Sequence, residues 1–239
     1  MLAIARSELI QIFRNRLILV TSMIMPAAIS AFFVYRHEVF AQLGSIGYIA
    51  AVVLFTITAV GLYASTVTTL ASRRQNLFLK RLRSTAAGDI GIIAGLLLPA
   101  TLIAVVQVGA ILTVLAVVAA APVHVALVVA GVLASVAMMI GLALATAGLT
   151  NSPEHAQVTT LPVMLGVIGI ASWVGISGTE ELTLLKRLLP GGAATELITA
   201  AWNGGTPASE SLILLAPTIA WVIVAIALAT RMFRWEPRR

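Results

Sequence analysis

From Ile90 to Pro153 the chain runs for 64 residues without one Asp, Glu, Lys or Arg. As a single α-helix this run would be ~96 Å long, about three times the ~30 Å hydrocarbon core of a bilayer. It must fold back on itself, and Pro122, after three alanines, is the obvious turn. Two apolar helices result, at about 90–119 and 123–149, and helices satisfy their own backbone polar groups in lipid. Composition agrees: the 239 residues are 60% hydrophobic and 10% charged, whereas a soluble domain carries roughly 25% charged residues. The expected class is an all-α polytopic membrane protein, a single transmembrane domain over 1–239.

The remaining uncharged runs supply four more spans. Residues 17–35 hold 19 residues without charge, with Pro26 expected to kink them. Residues 39–72 are uncharged over 34 positions, too long for one crossing and too short for two. Their start, AQLGSIG, is loop-like, which places the second span at 46–70. The fifth, at 158–176, follows the polar link TNSPEHA, and the sixth lies at 211–230. Between these two, residues 177–210 contain LTLLKRLL and AATELITAAW, separated by Pro190-Gly191-Gly192. Each is too short to cross, so both are expected as half-helices at the outer leaflet. Gly131 with Ser135 and Gly141 with Ala145 are small-xxx-small pairs suited to close helix packing.

The polar segments set orientation. Residues 1–16 are expected as an interfacial helix, with Leu9, Ile10, Ile12 and Phe13 on one face and Glu8, Gln11, Arg14 and Asn15 on the other. Arg6 and Arg16 fall in the apolar arc and can snorkel to headgroups. The N-terminus lacks a short apolar core followed by a small-residue cleavage site, so it is expected to be retained. Residues 71–89, ASRRQNLFLKRLRSTAAGD, hold five of the fifteen Lys and Arg residues. On a helix, Phe78, Leu79 and Leu82 share an arc opposite Arg73, Arg74, Lys80, Arg81 and Arg83, with Leu77 out of place. Gly88 is the expected stop and Asp89 the expected N-cap of the next helix. Of the Lys and Arg residues, 12 lie in the N-terminus, this loop and the tail RMFRWEPRR, and 3 (Arg36, Lys186, Arg187) on the other side. The positive-inside rule puts the first group, and both termini, in the cytoplasm of a bacterial cell membrane. The tail's Trp235 is expected at the interface. The same distribution assigns the net charge of +6 to membrane orientation, not nucleic acid.

The spans carry no Asp, Glu, Lys or Arg near their middles, which disfavours ion-coupled transport and charged channel filters. Thr58, Gly61, Ser65, Thr68 and Thr69 line one side of the second span. Ordinary small-residue packing accounts for that stripe most simply; a substrate path along Thr58, Ser65 and Thr69 is the alternative. There is no cysteine, and His37, His124 and His155 are widely separated, so no metal site is expected. Gly175-Ile176-Ser177-Gly178 is similar to the GxSG of rhomboid-type intramembrane serine proteases, but no His follows His155 to act as the base. No GxxxxGK[ST] occurs, so work against a gradient would need a separate ATPase.

The whole arrangement resembles the permease subunits of type-2 ATP-binding-cassette exporters, the ABC-2 permeases that include daunorubicin-resistance-like drug exporters. The features that carry the resemblance are the N-terminal helix ending in Arg14-Asn15-Arg16, Pro26 in the first span, and Leu79-Lys80-Arg81-Leu82-Arg83-Ser84-Thr85 after the second. The link 151–157 and the paired half-helices add to it. Two positions depart from the family pattern: Ala86 stands where Pro is common, and Pro190-Gly191-Gly192 replaces an Asn-Pro, although Ser177-Gly178 is kept. The resemblance implies a non-enzymatic transport subunit. Its coupling helix, Phe78, Leu79, Lys80, Arg81, Leu82 and Arg83, would dock on an ABC ATPase. It implies two such ATPase subunits carrying the ATP and Mg, no cofactor on this chain, a second permease chain (identical or different), and a small hydrophobic or amphipathic substrate such as a drug or lipid. A six-span channel-like or scaffold protein without an ATPase is the alternative.

Overall fold

The computed structural model describes residues 1–85, 88–205, 207–233 and 235; Ala86 and the tail arginines Arg234, Arg238 and Arg239 lie outside the described residues. Among the described residues every regular element is helical. Five helices are long and apolar enough to cross a membrane: Ile46–Gln75, Asp89–Val118, Val125–Leu149, Pro153–Ser177 and Ala208–Met232. A shorter apolar helix, Val20–Tyr35, precedes them. The chain thus has the all-α, membrane-spanning architecture expected of its composition.

We label the elements α1 (Leu2–Arg14), α2 (residues 16–35), α3 (His37–Leu43), α4 (Ile46–Gln75), α5 (Phe78–Arg83), α6 (Asp89–Val118) and α7 (Val125–Leu149). Then follow α8 (Pro153–Thr159), α9 (Leu161–Ser177), α10 (Thr183–Leu188), α11 (Gly192–Asn203), α12 (Ala208–Ile213) and α13 (Leu215–Met232). Helix α4 is the centre. Its apolar window is 89% buried, against 22% for those of α6 and of Ala208–Met232. Helices α2, α6, α7, α8, α9 and α11 all pack on it. Outside it, α7 pairs with α13, where Gly141 lies so close that an added Cβ would stand 2.7 Å from Ala225 Cβ.

At Pro26 the helix changes type. It has no N–H to give Ser22 O, and the preceding turn, Val20–Ile24, widens into a π turn that absorbs the missing bond. Helix α4 carries its own π stretch, Ile57–Ala64, and the two widened segments pack against each other. Gly61 makes this possible: a Cβ there would lie 2.9 Å from Ser22 O and 3.4 Å from Pro26 Cγ. Gln107 of α6 donates to Met23 O at 2.9 Å, occupying a second carbonyl of the same π turn.

Residues 71–89 are not one amphipathic helix. Helix α4 continues to Gln75, five residues past the expected end at Leu70, and Leu77 then takes a left-handed φ of +56°. That conformation costs about 1–2 kcal/mol for a residue with a Cβ. It breaks the helix at the one apolar residue that fitted neither arc. Helix α5 covers only six residues and is capped at Ser84, so Gly88 does not stop it. Gly88 is instead the N-cap of α6, and Asp89 is helical. The Asp89 carboxylate receives Arg83 Nε and Nη2, both at 3.0 Å. Trp235 covers the other side of Arg83, 5.0 Å from its guanidinium.

Helix α3 runs into the first three residues of AQLGSIG, expected as loop; Phe40 packs on Phe33 (centroids 4.4 Å) and Phe32 (6.0 Å), which draws the segment onto α2. The half-helices α10 and α11 turn at Pro190-Gly191, where Gly191 has φ +87° and sits against the Phe55 ring. Arg187 grips the Glu196 carboxylate with Nε at 2.7 Å and Nη2 at 2.6 Å, and the carboxylate holds that guanidinium above its ordinary pKa. The far end of α11 secures the turn after α6, since Trp202 O accepts from Val123 N and Trp202 Nε1 donates to Ala120 O.

Candidate functional site

A cavity of about 620 Å³ opens where α1, α2, α4, α6 and the α8–α9 junction meet. Its floor is apolar, with Val60, Leu96, Leu97, Ile103 and Met164. Its walls carry the hydroxyls of Thr21, Ser22, Ser65, Thr68, Thr69 and Thr160. Most of these donate backwards within their own helices. Ser65 Oγ bonds Leu62 O at 3.1 Å and Gly61 O, Thr68 Oγ1 bonds Ala64 O at 2.9 Å, and Thr160 Oγ1 bonds Ala156 O at 2.7 Å. Such back-bonding settles the hydroxyl proton and leaves the oxygen able to accept a further hydrogen bond. Thr66 differs. It is 3% exposed, lines the cavity, and its Oγ1 has no hydrogen-bond partner among the described residues. A buried hydroxyl without a partner costs about 1–3 kcal/mol, which a polar group on an occupant would relieve.

One end of the cavity is closed by charge. Arg73 Nη2 donates to Glu8 Oε2 at 2.9 Å and to Gln11 Oε1, tying α4 to α1. The same guanidinium lies 5.2 Å from the Phe78 ring, so the first residue of α5 touches the side chain that closes the cavity. Arg74, its neighbour, is 3% exposed and donates to Ala147 O at 2.8 Å and to Thr150 O, carbonyls at the C-terminal end of α7. Both arginines were assigned to an outward basic arc. The continuation of α4 to Gln75 turns them inward instead.

Helix α1 is likewise reversed from a soluble amphipathic helix. Glu8 is 4% exposed, while Leu9, Ile10 and Phe13 are 39–55% exposed. The polar edge faces the protein cavity and the apolar face looks outward, the arrangement suited to a helix lying in lipid. Exposed Arg6 and Arg16 stay on that outer side.

Of the three residues of the expected substrate path, Ser65 and Thr69 line the cavity. Thr58 does not: it is fully buried, bonds Leu54 O at 2.8 Å and sits inside the bundle. Of the coupling residues, Leu79 is fully buried in the chain's own core, with Phe78 and Leu82 packed against it. Leu77, Lys80, Arg81 and Ser84 are the surface that α5 and its flanks present. Arg83 is engaged by Asp89 and Trp235.

Ser177 has a basic neighbour that the sequence reading passed over. Lys186 Nζ donates to Ser177 Oγ at 2.9 Å and Gly178 O at 2.7 Å, and lies 5.1 Å from the Trp173 ring. The Ser177 hydroxyl in turn donates to Trp173 O at 2.8 Å. The Ser177 proton is thereby directed at a carbonyl while its oxygen accepts from Lys186. Lys186 thus caps the C-terminal end of α9. His37 Nδ1 and His155 Nδ1 both meet local backbone, at Val34 O and Asn151 N.

The site residues missed in the sequence are Glu8, Gln11 and Arg73. A signal was present: Glu8 is the one acidic residue before Glu38, and none lies between Glu38 and Asp89. The cations of 71–83 could therefore find carboxylates nearby in sequence only at the margins, and Arg73–Glu8 and Arg83–Asp89 pair among the described residues. Comparison of the chain with protein-family models and with curated proteins gives no match.

Proposed function

We propose that this chain is the membrane-spanning subunit of an ATP-driven exporter of the ABC-2 type, with six spans counting the shorter helix in α2, and that the cavity is where its cargo is held. The observation that carries this reading is the chain of contacts Phe78–Arg73–Glu8. It connects a short basic helix on the bundle's end to the wall of a cavity able to take a drug-sized amphiphile. A partner ATPase, supplying ATP and Mg, would press on Leu77, Lys80 and Arg81. Displacement of α5 would then move Arg73 away from Glu8 and let α1 swing from α4. Differential binding of ATP to the two states drives the cycle. In this reading two such chains and two ATPases make the working unit, and the face bearing α1, α5 and α8 is cytoplasmic.

The cargo class follows from the walls. Apolar floor, hydroxyl sides and an internally neutralised ion pair suit an uncharged or amphipathic molecule better than an ion. The test is purification from membranes of a cell expressing the chain together with its genomic neighbours. Retention of an ATPase whose hydrolysis rate changes with the chain present supports the reading. A chain that purifies without an ATPase, from cells in which a neighbouring ATPase is made, contradicts it.

A further inference from the structure

A second depression, about 870 Å³, lies on the outer side of α1. It follows one edge of α1, through Ala3, Ser7 and Ile10, and turns with the chain at Asn15 onto Ile18 of α2. Asn15 has extended backbone (φ −98°, ψ 106°), so α1 and α2 meet there as an elbow. Its Oδ1 accepts from Ile18 N at 3.3 Å and starts the second helix.

Arg6, Arg14 and Arg16 all line this elbow, and no carboxylate does. Among the described residues none of the three forms an ion pair or a side-chain hydrogen bond, although Arg73, Arg83 and Arg187 each have a carboxylate. Three unpaired guanidiniums on one concave surface repel each other, and an anion between them removes that repulsion. The surface is also half apolar. Ile10 and Ile18 flank the arginines, and exposed Leu9 and Phe13 continue the apolar face beside it. The elbow joins the amphipathic α1 to the apolar α2, the position at which headgroups are expected when α2 enters a membrane.

We infer that this elbow holds the phosphate of an anionic membrane lipid, with the arginines on the phosphodiester and the isoleucines on the first part of the tails. A zwitterionic lipid would bring an ammonium into a depression with no carboxylate to receive it. A water-soluble anion would leave the apolar flank unused. Gln11, Asn15 and Ile18 border both the elbow and the hydroxyl-lined cavity, so a seated lipid braces the wall that the two share. The inference rests on the elbow alone and requires no transport activity.

The test is native mass spectrometry of the full chain released from a neutral detergent, with phosphatidylglycerol, phosphatidylcholine or inorganic phosphate added in separate arms. Wild-type chain is expected to retain phosphatidylglycerol about tenfold or more over phosphatidylcholine, since each Arg near an anionic headgroup contributes about fivefold. Arg14→Gln should lose about fivefold of that preference, and Arg231→Gln, which removes one charge elsewhere, should keep it. The triple change of Arg6, Arg14 and Arg16 to Gln should reduce retention to the phosphatidylcholine level. Should the triple variant fail to insert, the wild-type comparison and the single substitution still decide. Equal retention of the two lipids by wild type, an equal loss in Arg231→Gln, or displacement of the lipid by inorganic phosphate at matched concentration would each overturn the proposal.

Discussion

Arg73 of α4 and Glu8 of α1 lie 65 positions apart in sequence and 2.9 Å apart in space, Nη2 to Oε2, with side chains 19% and 6% exposed. The pair closes the cavity and is the single ionic contact described between the N-terminal helix and the bundle centre. Breaking one partner of a sealed ion pair costs about 3–5 kcal/mol. Here the cavity admits water, so Glu8→Ala should cost less, about 1–3 kcal/mol. A double-mutant cycle with Arg73→Ala should give a coupling of about 0.5–3 kcal/mol in thermal unfolding in detergent. Strict additivity of the two changes would show that the pair does not join α1 to α4.

The crossing of the two π segments depends on Gly61. Gly61→Ala places a Cβ 2.9 Å from the Ser22 carbonyl, which backbone on both sides makes hard to relieve. The expected loss is about 1–3 kcal/mol. Gly109→Ala, with nothing within 4 Å, is the matched control and should be neutral or slightly stabilising. Equal melting temperatures for the two variants would remove Gly61 from the packing account.

Helix α5 separates stability from docking by residue. Leu79→Ala removes a fully buried side chain and should destabilise the chain by about 2–5 kcal/mol whether or not a partner is present. Arg81 is exposed and its Nη2 donates to Asn76 O at 3.0 Å, so Arg81→Ala should change stability by about 0–1 kcal/mol. Its effect, with Leu77→Ala, should fall on ATPase retention. If Leu77→Ala and Arg81→Ala both retain the ATPase normally, α5 is not the docking element.

The long uncharged runs made the helical membrane architecture legible, and turn chemistry located the bends at Pro122 and Pro190-Gly191. Hydropathy alone could not rank the helices. Helices α4 and α6 both contain apolar stretches long enough to cross a membrane, yet one is enclosed by protein and the other is largely exposed, and lipid and protein interior select the same side chains. The basic stretch was misread because a helical wheel assumes an unbroken helix. Leu77 in the left-handed region divides it, so Arg73 and Arg74 follow the register of α4 while Phe78 to Arg83 begin a new one. The hydroxyl stripe was seen as Thr58, Ser65 and Thr69. The π stretch Ile57–Ala64 shifts the register within it, and Thr58 falls in the core while the other two reach the cavity. No pattern of one helix could show that Glu8 is their neighbour.

Topology has a direct check, because the chain has no cysteine of its own. Single cysteines at Ser84 and Ser209, both exposed, should react with membrane-impermeant reagent from opposite sides in oriented vesicles. Reaction of both from one side would falsify the six-span arrangement.

Under the proposed function, ATP hydrolysis on a partner moves an amphiphile through the cavity that Glu8 and Arg73 line. The most direct measurement is ATP-dependent movement of a fluorescent amphiphile in vesicles containing the chain and its co-purified ATPase, compared with vesicles carrying Thr69→Trp to fill the cavity. The account predicts movement that requires ATP and is lost in the filled variant while ATPase retention is kept. Movement without ATP, or undiminished movement with the cavity filled, would contradict it.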